Sequence, residues 1–411
     1  MKKMQLTTKI FIGLALGILL GIILQPNPDV ANNFIKPFGT LFLNLIKLVI
    51  VPLVFSSLVV GACSMDDVRK LGRIGGKTVA YYMLTTAFAV TIGLILANVT
   101  NVGGGFSIPV DAKVEIAAAP SVIETLLNII PSNPLKALVD GNMLQIISFA
   151  LIIGAGIIGI GEKGKNLQSF FESFAEVMYK IIAVIMEFAP IGVFALITPV
   201  VAVNGPSVLL PLLKLIVVVY FGCALHAIVT YSSTVSVFAK VSPVKFFKGI
   251  APAMLFAYTT ASSSATLPVS MKRSQENLGV SKSVSSFVLP LGATINMDGT
   301  AIYQGICAFF IAQVYGLELS LSAQLTIILT ATLASIGTAG VPGAGMIMLG
   351  MVLQSVGLPI EGIALIAGVD RILDMMRTMI NVTGDAACAV VVAATEGELD
   401  KEVYNNMSTA K

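Results

Sequence analysis

The apolar stretch 361–396 carries ionisable side chains that share one face of a predicted helix. Its polar members follow one another at spacings of 4, 3, 4 and 4 residues: Asp370, Asp374, Arg377, Asn381 and Asp385. At 3.6 residues per turn, these spacings predict a single polar stripe. The guanidinium of Arg377 can bind a carboxylate through two hydrogen bonds, and Asp374 suits an ammonium group. A polar stripe in an apolar segment is typical of a pathway for a polar solute and ions.

The same charges permit a purely structural alternative, in which Arg377 forms a ladder of ion pairs with Asp370 or Asp374. Between Asp370 and Asp385 the chain contains three acids but only two arginines, Arg371 and Arg377, and Asp385 lies two turns away from Arg377. We favour the pathway because the acids outnumber the arginines, and the ladder stays open as the alternative.

A second polar cluster, Asn296–Thr300 (sequence NMDGT), interrupts another apolar stretch. Pro290–Gly292 precedes it and predicts a break that frees backbone carbonyl oxygens. Carbonyl, amide and carboxylate oxygens suit a hard monovalent cation, whereas no spacing of Cys or His suits a soft metal. Tyr82, Thr85 and Thr86 add hydroxyls, which form a weak signal because hydroxyls on helices mostly bond to their own backbone.

The elements that carry these clusters are predicted to be membrane-spanning helices. The chain has 411 residues, of which 56% are hydrophobic and 11% are charged, whereas soluble proteins carry about 25% charged residues. This composition excludes a soluble enzyme, a secreted disulfide scaffold and a disordered chain. No basic block is long enough to indicate nucleic acid binding. We interpret the apolar run 10–24 as a retained first span, since no cleavage site follows it.

Two segments differ in pattern from the six apolar segments that precede them. Segments 245–280 and 320–358 each contain two apolar arms of about 12–15 residues around small-residue tips at 261–265 and 335–345. Because an arm of this length is too short to cross a core of about 30 Å, each is predicted to be a re-entrant hairpin. The other apolar segments are 8–25, 34–63, 75–99, 140–160, 169–200, 207–239, 283–315 and 361–396.

The lysines and arginines assign the sides of the membrane. Basic residues cluster at 2–9, 69–77, 163–165 and 240–248, whereas the intervening loops lack them, except that 100–121 contains Lys113. The N-terminus is therefore predicted to be cytoplasmic. The hairpin 245–280 is basic at both ends and enters from the cytoplasm, whereas 320–358 enters from outside. Two hairpins of opposite entry form an inverted pair, which is typical of the site of a secondary transporter.

These motifs resemble the glutamate transporter homologue family, the dicarboxylate/amino acid:cation symporters. The resemblance rests on Ser262–Pro268 (SSSATLP), Asn296–Thr300, Gly340–Gly343 (GVPG) and Asp374 through Asp385, and it covers nearly the whole chain in order. It implies an all-α polytopic membrane protein of the elevator type, with eight transmembrane helices and two re-entrant hairpins in inverted repeats. It also implies a homotrimer in the inner (plasma) membrane.

The resemblance divides the chain into two domains and a tail. A scaffold of spans 1, 2, 4 and 5 would comprise 1–74 and 121–204 and form the trimer contacts. A mobile transport domain would comprise 75–120 and 205–396, with both hairpins and spans 3, 6, 7 and 8. Residues 397–411 would form a cytoplasmic tail.

The resemblance further implies the roles of individual residues. Arg377 would bind the side-chain carboxylate of an acidic amino acid, and Asp374 would bind its amino group. The remaining substrate contacts would come from Ser263, Ser264, Thr300, Gly340, Val341, Thr378 and Asn381. Two to three sodium ions would be co-transported, at sites formed by three sets of residues. The first set is Gly292, Asn296, Asn381 and Asp385; the second is Tyr82, Thr85, Thr86, Asn296 and Asp298; the third is Thr294, Ser335, Ile336 and Thr338.

Some positions depart from the family pattern. Ala261 and Met375 stand where some relatives carry a second arginine, and the role of Arg371 is left open. Gln304 replaces the proton-carrying glutamate of eukaryotic relatives. The resemblance favours sodium-coupled uptake. Because relatives that transport neutral amino acids lack an arginine at the position of Arg377, it also favours aspartate or glutamate as the substrate. Proton-coupled transport, an anion channel and an intramembrane hydrolase remain alternatives, the last without a base near its serines.

Overall fold

The computed structural model describes residues 6–63, 72–104, 130–206, 209–336, 338, 340 and 343–406. Within these ranges every regular element is a helix, apart from an isolated antiparallel bridge between Val280 and Leu399. The all-α class predicted from the sequence is confirmed. Some residues named above lie outside the described ranges: Lys113, Val341 and the basic residues at positions 2, 3, 69 and 70.

The first half of the described chain follows the predicted apolar segments, and one of these segments is bent. The segment 169–200 was predicted as one span, but it forms two helices bent by 56°. Pro190 lies in the first turn of the second helix, where its missing N–H is tolerated and the preceding helix cannot continue through it. The helices are α1 (Leu6–Ile23), α2 (Lys36–Cys63), α3 (Gly72–Thr100), α4 (Pro134–Asp140), α5 (Met143–Gly159), α6 (Lys165–Glu187) and α7 (Ala189–Asn204).

The second half contains helix pairs at both predicted hairpin segments. The helices are α8 (Leu209–Ala239), α9 (Pro243–Thr260), α10 (Ser263–Glu276), α11 (Lys282–Ile295), α12 (Asp298–Val314), α13 (Leu321–Ser335), α14 (Ala344–Ser355), α15 (Ile363–Ala367), α16 (Asp370–Glu396) and α17 (Lys401–Asn405). We call the pair α9–α10 the inner hairpin and the pair α13–α14 the outer hairpin, after the sides of entry predicted from the sequence; their re-entrant character stays a prediction. The arm length predicted for α9 is wrong, because this helix has 18 residues.

Helix length and apolarity identify fewer certain spans than the eight predicted. Among the described helices, three are long and apolar enough to cross a membrane, namely Arg73–Thr100 in α3, the whole of α8, and α16. The bent pair α6–α7 adds a fourth if it is counted as one span. Shorter apolar helices include Thr8–Ile23 and Ser148–Gly159. The structure therefore supports a multi-pass membrane protein, and the count of eight stays a prediction.

Helix packing separates two groups of partners. In the first group, α1 packs against α7, and α2 packs against α5, α6 and α7. In the second group, α3 packs against α12 and α13, while α16 packs against both arms of the inner hairpin and against α11 and α12. Contacts between the groups include α2 with α14 and α7 with α15. The division into scaffold and transport domains stays a prediction.

One end of the structure gathers the start of α3, the end of α16 and the base of the inner hairpin. Lys77 Nζ lies 2.5 Å from Glu396 Oε1, and Lys245 Nζ donates to the carbonyl oxygen of Asn405 at 3.1 Å. The Tyr404 hydroxyl donates to the carbonyl oxygen of Ser242 at 2.8 Å. Burial raises the pKa of Tyr404, so this hydroxyl keeps its proton and its role as donor. These contacts place the basic segments and the tail at a common end.

A glycine ridge allows α1 to approach α7 closely. Gly13, Gly17 and Gly21 recur every four residues and lie on one face of α1. A Cβ on Gly17 would lie 2.4 Å from Ile197 Cγ2 and 3.0 Å from the carbonyl oxygen of Phe194. Small residues at four-residue spacing let helix backbones pack closely in membranes, where packing replaces the hydrophobic effect.

We expect Gly17→Ala to destabilise the protein, because the added methyl group would overlap the Ile197 side chain and crowd the carbonyl oxygen of Phe194 on α7. Overpacking of this kind costs about 1–3 kcal/mol, measurable as a lower melting temperature of the purified protein in detergent. Gly156→Ala on α5 is the matched control, since no described heavy atom lies within 4 Å of its added Cβ. There, alanine is expected to stabilise the helix by about 0.5–1 kcal/mol. Equal effects of the two substitutions would contradict the close approach of α1 and α7.

Candidate substrate and cation site

The tips of the two hairpins touch each other inside the protein. Ala261 ends α9 in the left-handed region, with φ of 51°, and Ser262 caps α10 by accepting a hydrogen bond from the Ala265 amide at 3.2 Å. The Ser262 hydroxyl donates to the carbonyl oxygen of Gly340 at 2.8 Å. The Ser264 amide donates to the same oxygen at 3.2 Å. The outer tip is therefore hydrogen-bonded directly to the inner tip.

The polar stripe of α16 is buried, and its arginine is paired with two acids. Arg377 is 0% exposed; it donates to Asp370 Oδ1 and to Asp374 Oδ1, each at 2.8 Å. The ion-pair ladder that the sequence left as the alternative is thus present among these three residues, because they lie within two turns of one helix. The centroid of the Tyr303 ring lies 4.0 Å from Arg377 Cζ, which allows a cation–π contact.

The arginine nevertheless keeps an unused donor. Arg377 Nε is buried without a hydrogen-bond partner among the described residues. A buried donor without a partner costs free energy. The ladder therefore does not satisfy the guanidinium completely, and an incoming carboxylate could bond to Nε.

The outer hairpin lies over the charged centre of α16. The Gly343 amide donates to Asp374 Oδ2 at 3.2 Å, and Gly343 has φ of 86°, which favours glycine. A Cβ on Gly345 would lie 2.9 Å from Arg377 Cζ. The N-terminus of α14 therefore faces both Asp374 and Arg377. A helix N-terminus offers free amides and a positive partial charge to an anion.

Arg371 connects the inner hairpin to the same centre. Its Nη2 donates to the carbonyl oxygen of Thr260 at 3.2 Å, at the end of α9. Its Nη1 lies 3.8 Å from Asp374 Oδ2. The arginine whose role the sequence left open therefore contacts both the inner tip and the predicted amine-binding acid.

The predicted substrate residues on α12 and α16 lie in contact. Asn381 Oδ1 accepts from the Gly299 amide at 2.8 Å, and Asn381 Nδ2 donates to Thr300 Oγ1 at 3.3 Å. A Cβ on Gly299 would lie 2.3 Å from the carbonyl oxygen of Arg377, so α12 begins directly against the stripe. Thr378 and Ser263 are also buried, whereas Ser264 is exposed beside Gly340.

The helix break lies later than the sequence predicted. Pro290 and Gly292 lie within α11, and the interruption falls at Asn296 and Met297. The prediction of a break at Pro290–Gly292 is therefore wrong. The backbone of Asn296 is extended, with φ of −94° and ψ of 104°. Its side chain bonds to α16 at this point.

The first predicted cation set forms a compact group of buried oxygens. Asn296 Nδ2 donates to Asp385 Oδ1 at 2.9 Å and to the carbonyl oxygen of Asn381 at 3.0 Å. Asn296 Oδ1 is buried without a partner among the described residues. A Cβ on Gly292 would lie 2.4 Å from Asp385 Oδ1 and 2.5 Å from the Tyr82 hydroxyl. An unpartnered oxygen beside a buried carboxylate and a glycine fits a small, hard cation.

The second predicted set is only partly brought together by hydrogen bonds. Thr86 Oγ1 donates to Asp298 Oδ1 at 2.7 Å. Thr85 Oγ1 instead donates to the carbonyl oxygen of Tyr82 at 3.3 Å, and the Tyr82 hydroxyl donates to that of Val288 at 3.1 Å. Of the three hydroxyls, that of Thr86 therefore contacts Asp298, whereas that of Thr85 bonds to the backbone of its own helix.

The third predicted set shows only local bonds among its described members. Ser335 donates to the carbonyl oxygen of Thr332 at 2.7 Å, and Thr294 donates to that of Leu291 at 3.0 Å. Thr338 donates to the carbonyl oxygen of Ala334 at 2.5 Å. Ile336 is buried beside them. A third cation site therefore stays a prediction.

Two residues on α8 reach the site, although the sequence did not assign them to it. His226 Nε2 lies 3.1 Å from Asp298 Oδ2, and the Tyr231 hydroxyl donates to the same oxygen at 2.9 Å. The available signal was a single histidine in an apolar span, which is unusual in a membrane. The sequence did not indicate that His226 contacts Asp298, because the two residues are 72 positions apart.

Comparison with known proteins identifies the class of site. Residues 6–395 match the sodium:dicarboxylate symporter family. The chain belongs to this family. As a member of a family of symporters, it is a membrane transport protein and not an enzyme.

The chain is similar to named transport proteins over nearly its whole length. It is 41% identical over 411 residues to the proton/sodium-glutamate symport protein of Geobacillus stearothermophilus, covering 98% of this chain and 97% of the relative. It is 38% identical over 416 residues to the proton/glutamate-aspartate symporter of Escherichia coli (strain K12), covering 97% and 95%. A C4-dicarboxylate transport protein of Bacillus subtilis (strain 168) is 34% identical over 405 residues, covering 97% and 95%.

We expect Gly292→Ala to weaken sodium binding by the symporter, because the new methyl group would displace the Asp385 carboxylate. The sodium concentration that gives half-maximal thermal stabilisation should rise by about 10-fold or more, as when the support of a metal ligand is removed. Gly75→Ala on α3 is the control, since its Cβ would lie 3.6 Å from Phe287 Cζ, an ordinary contact. An unchanged half-saturating sodium concentration in Gly292→Ala would remove Asp385 from the cation set.

Proposed function

We propose that this chain is a secondary active symporter that takes up L-aspartate, L-glutamate or both, coupled to inward sodium flow. One observation carries the proposal. The buried Arg377 guanidinium, with its Nε unpartnered, lies beneath the outer hairpin and beside two groups of oxygens that are predicted to bind cations. The names of the relatives, which include glutamate and aspartate symporters, support the same substrate class.

The charges of the centre suit an acidic amino acid. A substrate carboxylate would bind Arg377, including its Nε, and the ammonium group would bind Asp374. Asp374 Oδ2 accepts from the Gly343 amide in this structure, so an ammonium group would compete with or add to that bond. The N-termini of α10 and α14 would supply amides to the second carboxylate. A dicarboxylate without an amine would bring no cationic group to Asp374, which favours an amino acid.

Buried charge supports two to three sodium ions. Asp298 and Asp385 are 0% and 3% exposed. Asp385 accepts a hydrogen bond from the neutral side-chain amide of Asn296. An uncompensated carboxylate in a membrane interior is costly, so each of these acids would bind one cation. Arg371 and Arg377 balance Asp370 and Asp374. The net negative charge of a bound acidic amino acid then favours one further cation.

Asn381 provides a physical link between substrate and cation. Its carbonyl oxygen accepts from Asn296, and its side chain bonds to Thr300 and to the Gly299 amide. A group that belongs to both sets makes the affinity for each ligand depend on the other, and such linkage is reciprocal. Coupled binding of this kind is what symport requires.

The proposed architecture is a homotrimer of elevator-type protomers in the plasma membrane, with both termini cytoplasmic. The scaffold would consist of 1–74 and 121–204, and the transport domain of 75–120 and 205–396, with 397–411 as the tail. The two packing groups of helices support this division. The glycine ridge that joins α1 to α7 supports a rigid scaffold, and the hairpins packed on α16 support a transport domain that moves as a unit.

We expect aspartate uptake into proteoliposomes to require an inward sodium gradient. The measurement compares radiolabelled aspartate uptake under a sodium gradient at equal pH with uptake under an inward proton gradient in sodium-free choline buffer. Only the first should drive accumulation above the equilibrium level. Two relatives carry the word proton in their names, so proton coupling is the second candidate function. Accumulation under the proton gradient alone would favour it and contradict sodium coupling.

We expect Arg377→Ala to weaken binding of acidic substrates strongly, because one carboxylate loses a buried, charge-assisted partner. Breaking such a pair costs about 2–5 kcal/mol, so the Kd for aspartate should rise at least about 30-fold. Arg73→Ala, which removes an exposed arginine paired with Glu396, is the control and should leave the Kd within about twofold.

Sodium-dependent stabilisation of Arg377→Ala without substrate shows whether this variant still folds. If the folded variant binds aspartate as tightly as the wild-type protein, Arg377 is not the substrate arginine.

A further inference from the structure

The Asp298 carboxylate is held by three residues from two helices. Thr86 on α3 donates to Oδ1 at 2.7 Å. On α8, His226 Nε2 lies 3.1 Å from Oδ2, and the Tyr231 hydroxyl donates to Oδ2 at 2.9 Å. Asp298, His226 and Tyr231 are each 0% exposed. The two α8 groups therefore occupy one oxygen of the carboxylate, and the other oxygen remains on the side of α3.

The contacts of His226 fit the tautomer that carries its proton on Nε2. Thr230 Oγ1 lies 3.1 Å from His226 Nδ1. With the threonine hydroxyl as donor, Nδ1 is the acceptor, and Nε2–H donates to Asp298. Both ring nitrogens are satisfied in this way. A ligand carboxylate oriented by a donor on its far side is a common arrangement around metal sites.

The backbone of α8 explains how two of its residues reach the same oxygen. Residues five apart do not share a face in an α-helix, where the neighbours are three and four apart. The stretch Ala227–Tyr231 is π-helical, and bonds between residues five apart bring His226 and Tyr231 onto one side. Their rings pack edge to face, with centroids 4.9 Å apart. Such π-helical turns occur frequently at functional sites.

Tyr231 also lies against the first cation set. A Cβ on Gly384 would lie 2.5 Å from the Tyr231 hydroxyl and 2.6 Å from Asn296 Nδ2. The Tyr231 hydroxyl lies 3.2 Å from the carbonyl oxygen of Ile380 on α16. The α8 pair is therefore packed between the two groups of oxygens, beside the residues that would hold both ions.

We propose that His226 and Tyr231 are positioning residues of the cation site: together they hold Asp298 Oδ2, so that Oδ1 stays with Thr86 and faces the ion. The inference rests on the proposed function, since it concerns the sodium that would be co-transported. It extends the site to α8, which contributes no direct ligand.

The test measures the sodium concentration that half-maximally stabilises the purified full-length protein in detergent, without substrate. Sodium chloride is exchanged for choline chloride at constant ionic strength. Tyr231→Phe and His226→Leu should each raise the half-saturating sodium concentration by about 10-fold, the lower end of the range for loss of an outer partner. His226→Gln, which keeps an N–H donor, should restore most of the wild-type value. The Kd for aspartate at saturating sodium should change by less than about twofold.

Tyr404→Phe is the matched control for Tyr231→Phe. Its buried hydroxyl also donates to an oxygen acceptor, the carbonyl oxygen of Ser242, at 2.8 Å, but at the base of the inner hairpin. This control should lower the melting temperature without changing the sodium dependence. A purely structural role for His226 and Tyr231 would give the same result for their variants and would overturn the inference.

Asp298→Asn separates failure of the inference from failure of the proposed function. If sodium stabilises the wild-type protein and Asp298→Asn weakens this effect, while Tyr231→Phe and His226→Leu leave it unchanged, only the inference is overturned. If sodium does not stabilise the wild-type protein at all, the proposed function and the inference are overturned together.

Discussion

The cost of buried charge in a membrane protein governs the arrangement of this molecule. Asp298, Asp374, Arg377 and Asp385 are all nearly inaccessible, and each requires a partner because lipid offers none. The surrounding elements supply these partners from directions that one helix alone could not provide. The outer hairpin gives an amide to Asp374, the α11–α12 break gives the Asn296 side chain to Asp385, and α8 gives two donors to Asp298.

Irregular backbone occurs where these partners are needed. Ala261, Asn296 and Gly343 each leave helical geometry, and each lies beside the charged centre or at the hairpin tips. Backbone of this kind is tolerated at membrane depth only when it is buried in protein or lines a cavity. The interruptions therefore do two things at once, since they end a helix and present amides, carbonyls and side chains to the same small volume.

The sequence was sufficient for the parts of the site that lie on one helix. The spacing from Asp370 to Asp385 predicted a stripe, and small-residue tips predicted both hairpin segments. It failed where partners come from distant segments. His226 gave no indication that it bonds to Asp298, because a π-helical turn, invisible in side-chain spacing, brings it into position with Tyr231. Pro290 suggested a break that falls at Asn296 instead, where the Asn296 side chain bonds to α16.

The carbonyl oxygen of Gly340 receives hydrogen bonds from both the Ser262 hydroxyl and the Ser264 amide. Separation of the hairpins would strip this oxygen of both donors in the same movement. In a lipid-shielded interior the loss would be costly, and water could replace both bonds. Separation of the hairpins would therefore require water to enter the contact between their tips. A solute could pass between the tips only after this contact is hydrated.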